Sequence, residues 1–369
     1  MTPEEIEADG VRLRQFRPGD AADLAAGCGD PVNLRFNPGM PQPYTEADAR
    51  WWIAEGAPAA WATGGAAYAI ADGATDRLVG GAGIGPVVAA RRQADLGYWV
   101  APWARRRGVA TAATRALAAS ALRHGFDRLE LLIHAENPAS LRVALAAGFR
   151  HEGVRRAAGQ LRGGGRTDLL AWARLADDPP GPAPRLLPDL PDGRLTDGVV
   201  TLRRLGPDDV EVMHRLHTRP EVVANQAPPV PPAWAAIERR CRTAESGWLT
   251  GTLARLLILD AVTGEPAGSC GLNVTDQDAG EGSVGYALLP GQRGRGLATR
   301  AVRLLAGWAF GPAGIARLTA GTVPENTASH RVLERVGFRR EGLLRGRLPG
   351  LAGSRLDDLV FGLLPDELR

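Results

Sequence analysis

The hydrophobic positions of this chain run through one order of elements, and they run through it twice. Apolar residues alternate with polar ones over residues 11–16 and 199–205, which predicts a strand at the head of each half. Turn residues come next, Pro18-Gly19-Asp20 and Gly206-Pro207-Asp208-Asp209, each leading into a helix-like segment. The first half then has a further helix from Tyr44, with Thr45 as its N-cap, where the second half has a proline-broken stretch over 228–234. Three short strands follow in each half, at 67–71, 78–84 and 95–100 and at 254–260, 267–274 and 283–289. Their spacing is that of an antiparallel meander.

The apolar period then lengthens to that of a helix, over 109–122 and 297–310, and returns to a strand over 129–135 and 318–323. A strand, a crossover helix and a following strand place the two strands parallel, so their carboxyl ends open beside the turn that starts the helix. A second helix begins at Asn137 or Asn326, read as N-caps, and stops at Gly148 or Gly337, where glycine can take the left-handed conformation. Two more strands close each half, including 166–170 and 355–360.

The turn before the long helix carries the candidate chemistry. In the first half, Tyr98, Trp99 and Val100 end a strand, and Arg105, Arg106, Arg107, Gly108, Val109 and Ala110 lead into the helix. In the second, Tyr286, Ala287 and Leu288 are followed by Arg293, Gly294, Arg295, Gly296, Leu297 and Ala298. Such a turn offers free backbone N–H groups at the positive end of a helix dipole, ringed by guanidinium groups, which is a seat for a pyrophosphate. Glycine at Gly108 and Gly296 lets the backbone approach the phosphate oxygens. Each copy is followed by a second matching block, Glu136-Asn137-Pro138-Ala139-Ser140 and Glu325-Asn326-Thr327-Ala328-Ser329. Both blocks continue to Gly-Phe and then Glu-Gly.

A length of 369 residues suits two domains, as the repeat requires. The boundary is a change in composition: residues 178–196 are dense in proline and read as an extended linker between domains at 1–177 and 197–369. The net charge of +3 gives no reason to expect nucleic acid or a membrane surface as partner, although all 44 basic side chains are arginine. Cys28, Cys241 and Cys270 have no paired or metal-ligand spacing, no apolar run can span a bilayer, and the amino terminus is acidic. A cytoplasmic location without disulfides or metal is expected.

With both blocks in view, each half resembles the GNAT superfamily of acyl-CoA-dependent N-acetyltransferases, most closely its ribosomal-protein (RimJ/RimL-like) branch. The resemblance implies an α/β (α+β) fold of two tandem domains, each a mixed, twisted sheet flanked by helices that splays between its fourth and fifth strands. It implies that acetyl-CoA is the cofactor, with its pyrophosphate on the Arg/Gly turn and its pantetheine arm along the backbone of Tyr98, Trp99 and Val100, or of Tyr286, Ala287 and Leu288. Asn137 and Asn326 fall beside it. The second substrate would be a primary amine, on a peptide N-terminus or a small molecule.

Relatives often carry Glu before the Gly-Tyr pair as proton acceptor; here Asp95 holds that place in the first half and Ser283 in the second, with Glu281 as a substitute nearby. The Tyr that many relatives use as acid is replaced by Ala144 and Leu333, leaving Ser140 and Ser329 as candidates. His134, His151 and His330 are not matched between halves and receive no role. Both halves keep the seat, so two cofactor sites per chain are expected. Asp95 and the ordered 44–52 segment favour the first half for turnover. The competing reading is an acyl-CoA-binding protein without turnover in one or both halves. Acceptor specificity is expected in the variable segments 30–52 and 220–234.

Overall fold

The computed structural model describes residues 1–369 and divides into two units, Met1–Pro184 and Arg185–Arg369. The first unit contains strands β1 (Ile6–Ala8), β2 (Val11–Arg14), β3 (Ala66–Asp72), β4 (Leu78–Val88), β5 (Gln93–Val100), β6 (Arg128–His134), β7 (Arg150–Gln160) and β8 (Arg166–Leu175). Its helices are α1 (Ala21–Cys28), α2 (Pro31–Phe36), α3 (Glu46–Trp51), α4 (Ala57–Ala62), α5 (Val109–Arg123) and α6 (Pro138–Ala146). The second unit repeats the plan with β9 (Arg194–Thr196), β10 (Val200–Arg204), β11 (Leu253–Asp260), β12 (Pro266–Asp276), β13 (Glu281–Leu288), β14 (Arg317–Thr322), β15 (Arg339–Pro349) and β16 (Arg355–Leu363). Its helices are α7 (Val210–His217), α8 (Pro220–Val223), α9 (Trp234–Arg242), α10 (Ala244–Leu249), α11 (Leu297–Phe310) and α12 (Thr327–Val336).

Each unit is one eight-stranded mixed sheet, ordered β1-β2-β3-β4-β5-β6-β8-β7 and, in mirror listing, β15-β16-β14-β13-β12-β11-β10-β9. The expected meander is present as antiparallel β2–β3–β4–β5 and β10–β11–β12–β13. The crossover strands are parallel, as predicted, but over three residue pairs only: Gln93–Asp95 against Arg128–Glu130, and Glu281–Ser283 against Arg317–Thr319. Beyond those pairs the strands part, and a gap opens along one edge of β5 and of β13. This splay lies between the fifth and sixth strands of each unit, because β1 and β9, which the apolar pattern does not reveal, each add a short strand ahead of the predicted first one.

The same ion pair folds the start of both units. Arg14 meets Asp20 at 2.8 Å and Arg203 meets Asp209 at 2.6 Å, with both carboxylates nearly buried. These bidentate contacts pin the first turn back on the first strand, and removing one partner would leave a buried charge alone. Thr45 caps α3 as expected, receiving the Asp48 N–H while Asp48 receives the Thr45 N–H. Over 224–233 the second unit has no regular element, consistent with its prolines.

The segment 178–196 is not a free spacer. Ala183 donates its N–H to the Leu145 carbonyl at 2.8 Å, within the first unit. Leu187 and Leu190 are 0% and 4% exposed in the second unit's core, and Trp248 Nε1 donates to the Pro188 carbonyl at 3.0 Å. Proline explains the extended backbone, but the leucines between the prolines carry apolar surface that only packing can remove from water. No helix is long and apolar enough to cross a membrane, and the three cysteines are free and buried.

Candidate functional site

The two faces of β13 have different duties. Val284, Tyr286 and Leu288 pack toward the long helix α11 in the main core of the second unit. Alternate residues point the other way, so Ser283, Gly285 and Ala287 line a cavity of about 1000 Å³. Register continues this second face across the sheet in three rows, Leu257–Ser269–Ala287, Arg255–Gly271–Gly285 and Leu253–Asn273–Ser283. Small residues dominate the rows, which leaves room above the sheet.

The cavity joins this face to the turn. Tyr286, Ala287, Leu288, Arg293, Gly294, Gly296, Leu297, Ala298, Asn326 and Ser329 all line it, so ten predicted residues of the second half meet in one space. Arg295 does not line it, being turned back onto Asp260 at 2.7 Å. Arg107 does the same in the first unit, on Asp72 at 2.8 Å. Both turns hold two residues in the left-handed region, Gly294 and Gly296 at φ 77° each, and Arg106 and Gly108 at φ 62° and 78°. At Gly296 and Gly108 a Cβ would meet nothing within 4 Å, so the glycine is required by backbone conformation, with open space beyond it. Neither α5 nor α11 has a capping side chain, which leaves its first N–H groups to whatever occupies that space. Val109 and Ala110 begin α5.

The Asn-Ser blocks act as caps. Asn137 Oδ1 accepts the Ser140 N–H and Asn326 Oδ1 accepts the Ser329 N–H, each at 3.2 Å. A tyrosine from the strand completes the arrangement: Tyr98 Oη donates to the Ser140 carbonyl at 3.4 Å and Tyr286 Oη to that of Ser329 at 3.2 Å. Burial pushes both phenols up to about 12, so they stay protonated donors. This tie fixes the start of α6 and α12 beside the gap, and nothing in either block alone announces it. Ala144 and Leu333 are buried apolar positions.

The first unit differs on the open face. Trp99 stands where Ala287 stands in the second, and its indole fills the space above Gly81 and beside Gly27. Arg105 is tied to Asp30. Asp95 lies opposite Glu130, and burial and then the Glu130 charge raise it above the usual carboxylate range. Glu130 itself is held by Arg128 at 2.8 Å and by Arg155. In the second unit Ser283 and Thr319 occupy the places of Asp95 and Glu130. Glu281 does not line the cavity, and Arg317 holds it at 2.8 Å.

Several lining residues had no sequence signal strong enough to assign. Glu221, Asn225 and Gln226 fall in the expected acceptor segment 220–234, but Met213, His217, Arg240 and Arg255 do not. Burial and then Arg240 push His217 down to about 4, so the ring is neutral, and the Gln226 amide nitrogen lies 3.1 Å from its Nδ1. An arginine inside the apolar strand 253–260 was the one available hint. The unassigned histidines pack against rings: His134 on Phe36, His151 on Trp172 and His330 on Phe361.

A family model described as "Acetyltransferase (GNAT) domain" matches residues 11–150 and again 200–339. The "Uncharacterized N-acetyltransferase p20" of Bacillus licheniformis is 31% identical over 170 residues, covering 46% of this chain and 94% of that protein. The "Probable N-acetyltransferase YjcK" of Bacillus subtilis (strain 168) is 44% identical over 85 residues, covering 23% of this chain and 46% of that one. Among solved structures, Mycobacterium smegmatis RimJ in complex with CoA-disulfide is 27% identical, covering 47% of this chain and 86% of that one, with a TM-score of 0.42. The two matched spans include both Arg/Gly turns and both Asn-Ser blocks, and the chain belongs to the GNAT acetyltransferase family, whose domain it carries twice.

Proposed function

We propose that the chain is an acetyl-CoA-dependent N-acetyltransferase acting on a primary amine, with turnover in the second unit. The observation that carries this is the single cavity joining the uncapped start of α11, the free edge of β13 and the open face of the sheet. Acetyl-CoA supplies an activated acyl group as a thioester. The N–H groups of α11 and the guanidinium of Arg293 suit its pyrophosphate. Along the pantetheine arm, the edge of β13 over residues 284–288 offers backbone groups that β14 does not use. In the transfer, the amine nitrogen bonds to the acyl carbon as the C–S bond breaks, the nitrogen loses a proton, and the sulfur gains one.

Ser329 is the group we assign to protonate the sulfur, since it lines the cavity and its backbone is fixed by Asn326 and Tyr286. Ser140 holds the matching place in the first unit, where Asp95 is the available proton acceptor. Ser329→Ala should lower kcat on the order of 100-fold while acetyl-CoA affinity, read by calorimetry, stays near wild type. Equal loss of rate and affinity would return Ser329 to a purely structural part. A second reading, an acyl-CoA-binding protein without turnover, draws on Ser283 standing where the first unit has Asp95. Release of CoA thiol in the presence of amines tests the two readings directly; acetyl-CoA binding with no thiol release from any amine would favour the second.

A further inference from the structure

Two arginines on the open side of the second unit's cavity meet no carboxylate. Arg203, Arg295 and Arg317 of the same unit each hold an acidic partner at 2.6–2.8 Å, whereas Arg240 and Arg255 hold none. Arg255 projects from β11 in the row Arg255–Gly271–Gly285, so on the β12 side neither of the next two strands supplies a side chain to cover it. Arg240 comes from the last turn of α9, and both arginines line the same cavity. Burial disfavours the charge on Arg255, and the charge of Arg240 disfavours it further. Two half-buried cations that repel each other and face an open space are stabilised by an anion entering that space.

The distance from the reacting edge limits what this anion can be attached to. Arg255 stands on β11 and the acyl group is assigned to the edge of β13, two strand spacings away, or about 10 Å. The guanidinium reaches across part of that span, so the anion belongs to a group only a few bonds from the amine. Resting on the acetyltransferase reading above, we propose that the acceptor is a small primary amine bearing its own carboxylate or phosphate, bound by Arg240 and Arg255. A planar guanidinium pair suits either oxyanion.

The test uses matched acceptors on the full-length protein: α-amino acids against their amides, aminoalkyl phosphates against the corresponding amino alcohols, and peptides with a free N-terminus and no acidic residue. Wild type should favour the anionic member of a pair by about 30-fold or more in kcat/KM. Arg255→Gln and Arg240→Gln should each collapse that ratio toward one, and Arg255→Lys should recover part of it, with acetyl-CoA calorimetry reporting that the unit is folded. The larger ratio of the two anionic series identifies the oxyanion as carboxylate or phosphate. A ratio near one in wild type, a ratio that the glutamine variants leave intact, or a preference for the neutral peptides would overturn the proposal. Calorimetry of the same anionic amines separates this idea from the one beneath it. Arg255-dependent binding without CoA-thiol release would sink the transferase reading and keep the subsite, and turnover without anion preference would do the reverse.

Discussion

Gly296→Trp is expected to abolish acetyl-CoA binding by the second unit and to lower turnover by at least about 100-fold, while Gly108→Trp leaves turnover near wild type. The contrast rests on geometry that the two turns share and surroundings that they do not. Gly296 and Gly108 have φ of 77° and 78° and nothing within 4 Å of a Cβ, so an indole at either place costs about the same in backbone strain, roughly 1–2 kcal/mol. Each variant is thus the folding control for the other. At Gly296 the indole stands in front of the uncapped N–H groups of α11, inside the cavity that reaches the open sheet face. At Gly108 it blocks a seat whose neighbouring face is already filled by Trp99. Calorimetry should therefore report the loss of one of the two expected cofactor sites in either variant, and CoA-thiol release should respond to Gly296 only. Asp95→Asn should resemble Gly108→Trp and leave the pH–rate profile unaltered. Turnover lost with Gly108→Trp would return catalysis to the first unit, where Asp95 and the capped α3 had pointed from sequence.

A second large effect concerns stability. A second half expressed from residue 197, the boundary that composition suggests, should be less stable than one expressed from residue 185 by about 3–6 kcal/mol. The shorter piece lacks Leu187 and Leu190, both buried in its core, the pairing of β9 with β10, and the carbonyl that receives Trp248 Nε1. Folded domains hold only about 5–15 kcal/mol in total, so the shorter piece sits near the limit of folding. Urea denaturation of both pieces measures the difference directly, and equal midpoints would mean that the leucines contribute little.

Much of this protein was legible one segment at a time. The alternating strands, the long helices, the Asn caps of α6 and α12 and the left-handed glycines Gly148 and Gly337 that follow those helices all arise from residues within a few positions of one another. Period, capping and φ preference are local, so the amino-acid order determined them, and the repetition of that order identified two copies of one domain. What tertiary structure decided is which residues meet across the open face. Arg255 is unremarkable in its strand until register sets Gly271 and Gly285 beside it, and Arg240 joins it only because α9 docks there. The Tyr286 hydroxyl finds the Ser329 carbonyl across the gap, and Trp99 or Ala287 fills or opens equivalent space in the two units. Register and helix docking are set by the joint burial of distant apolar surfaces, a non-local sum that no short window of sequence contains.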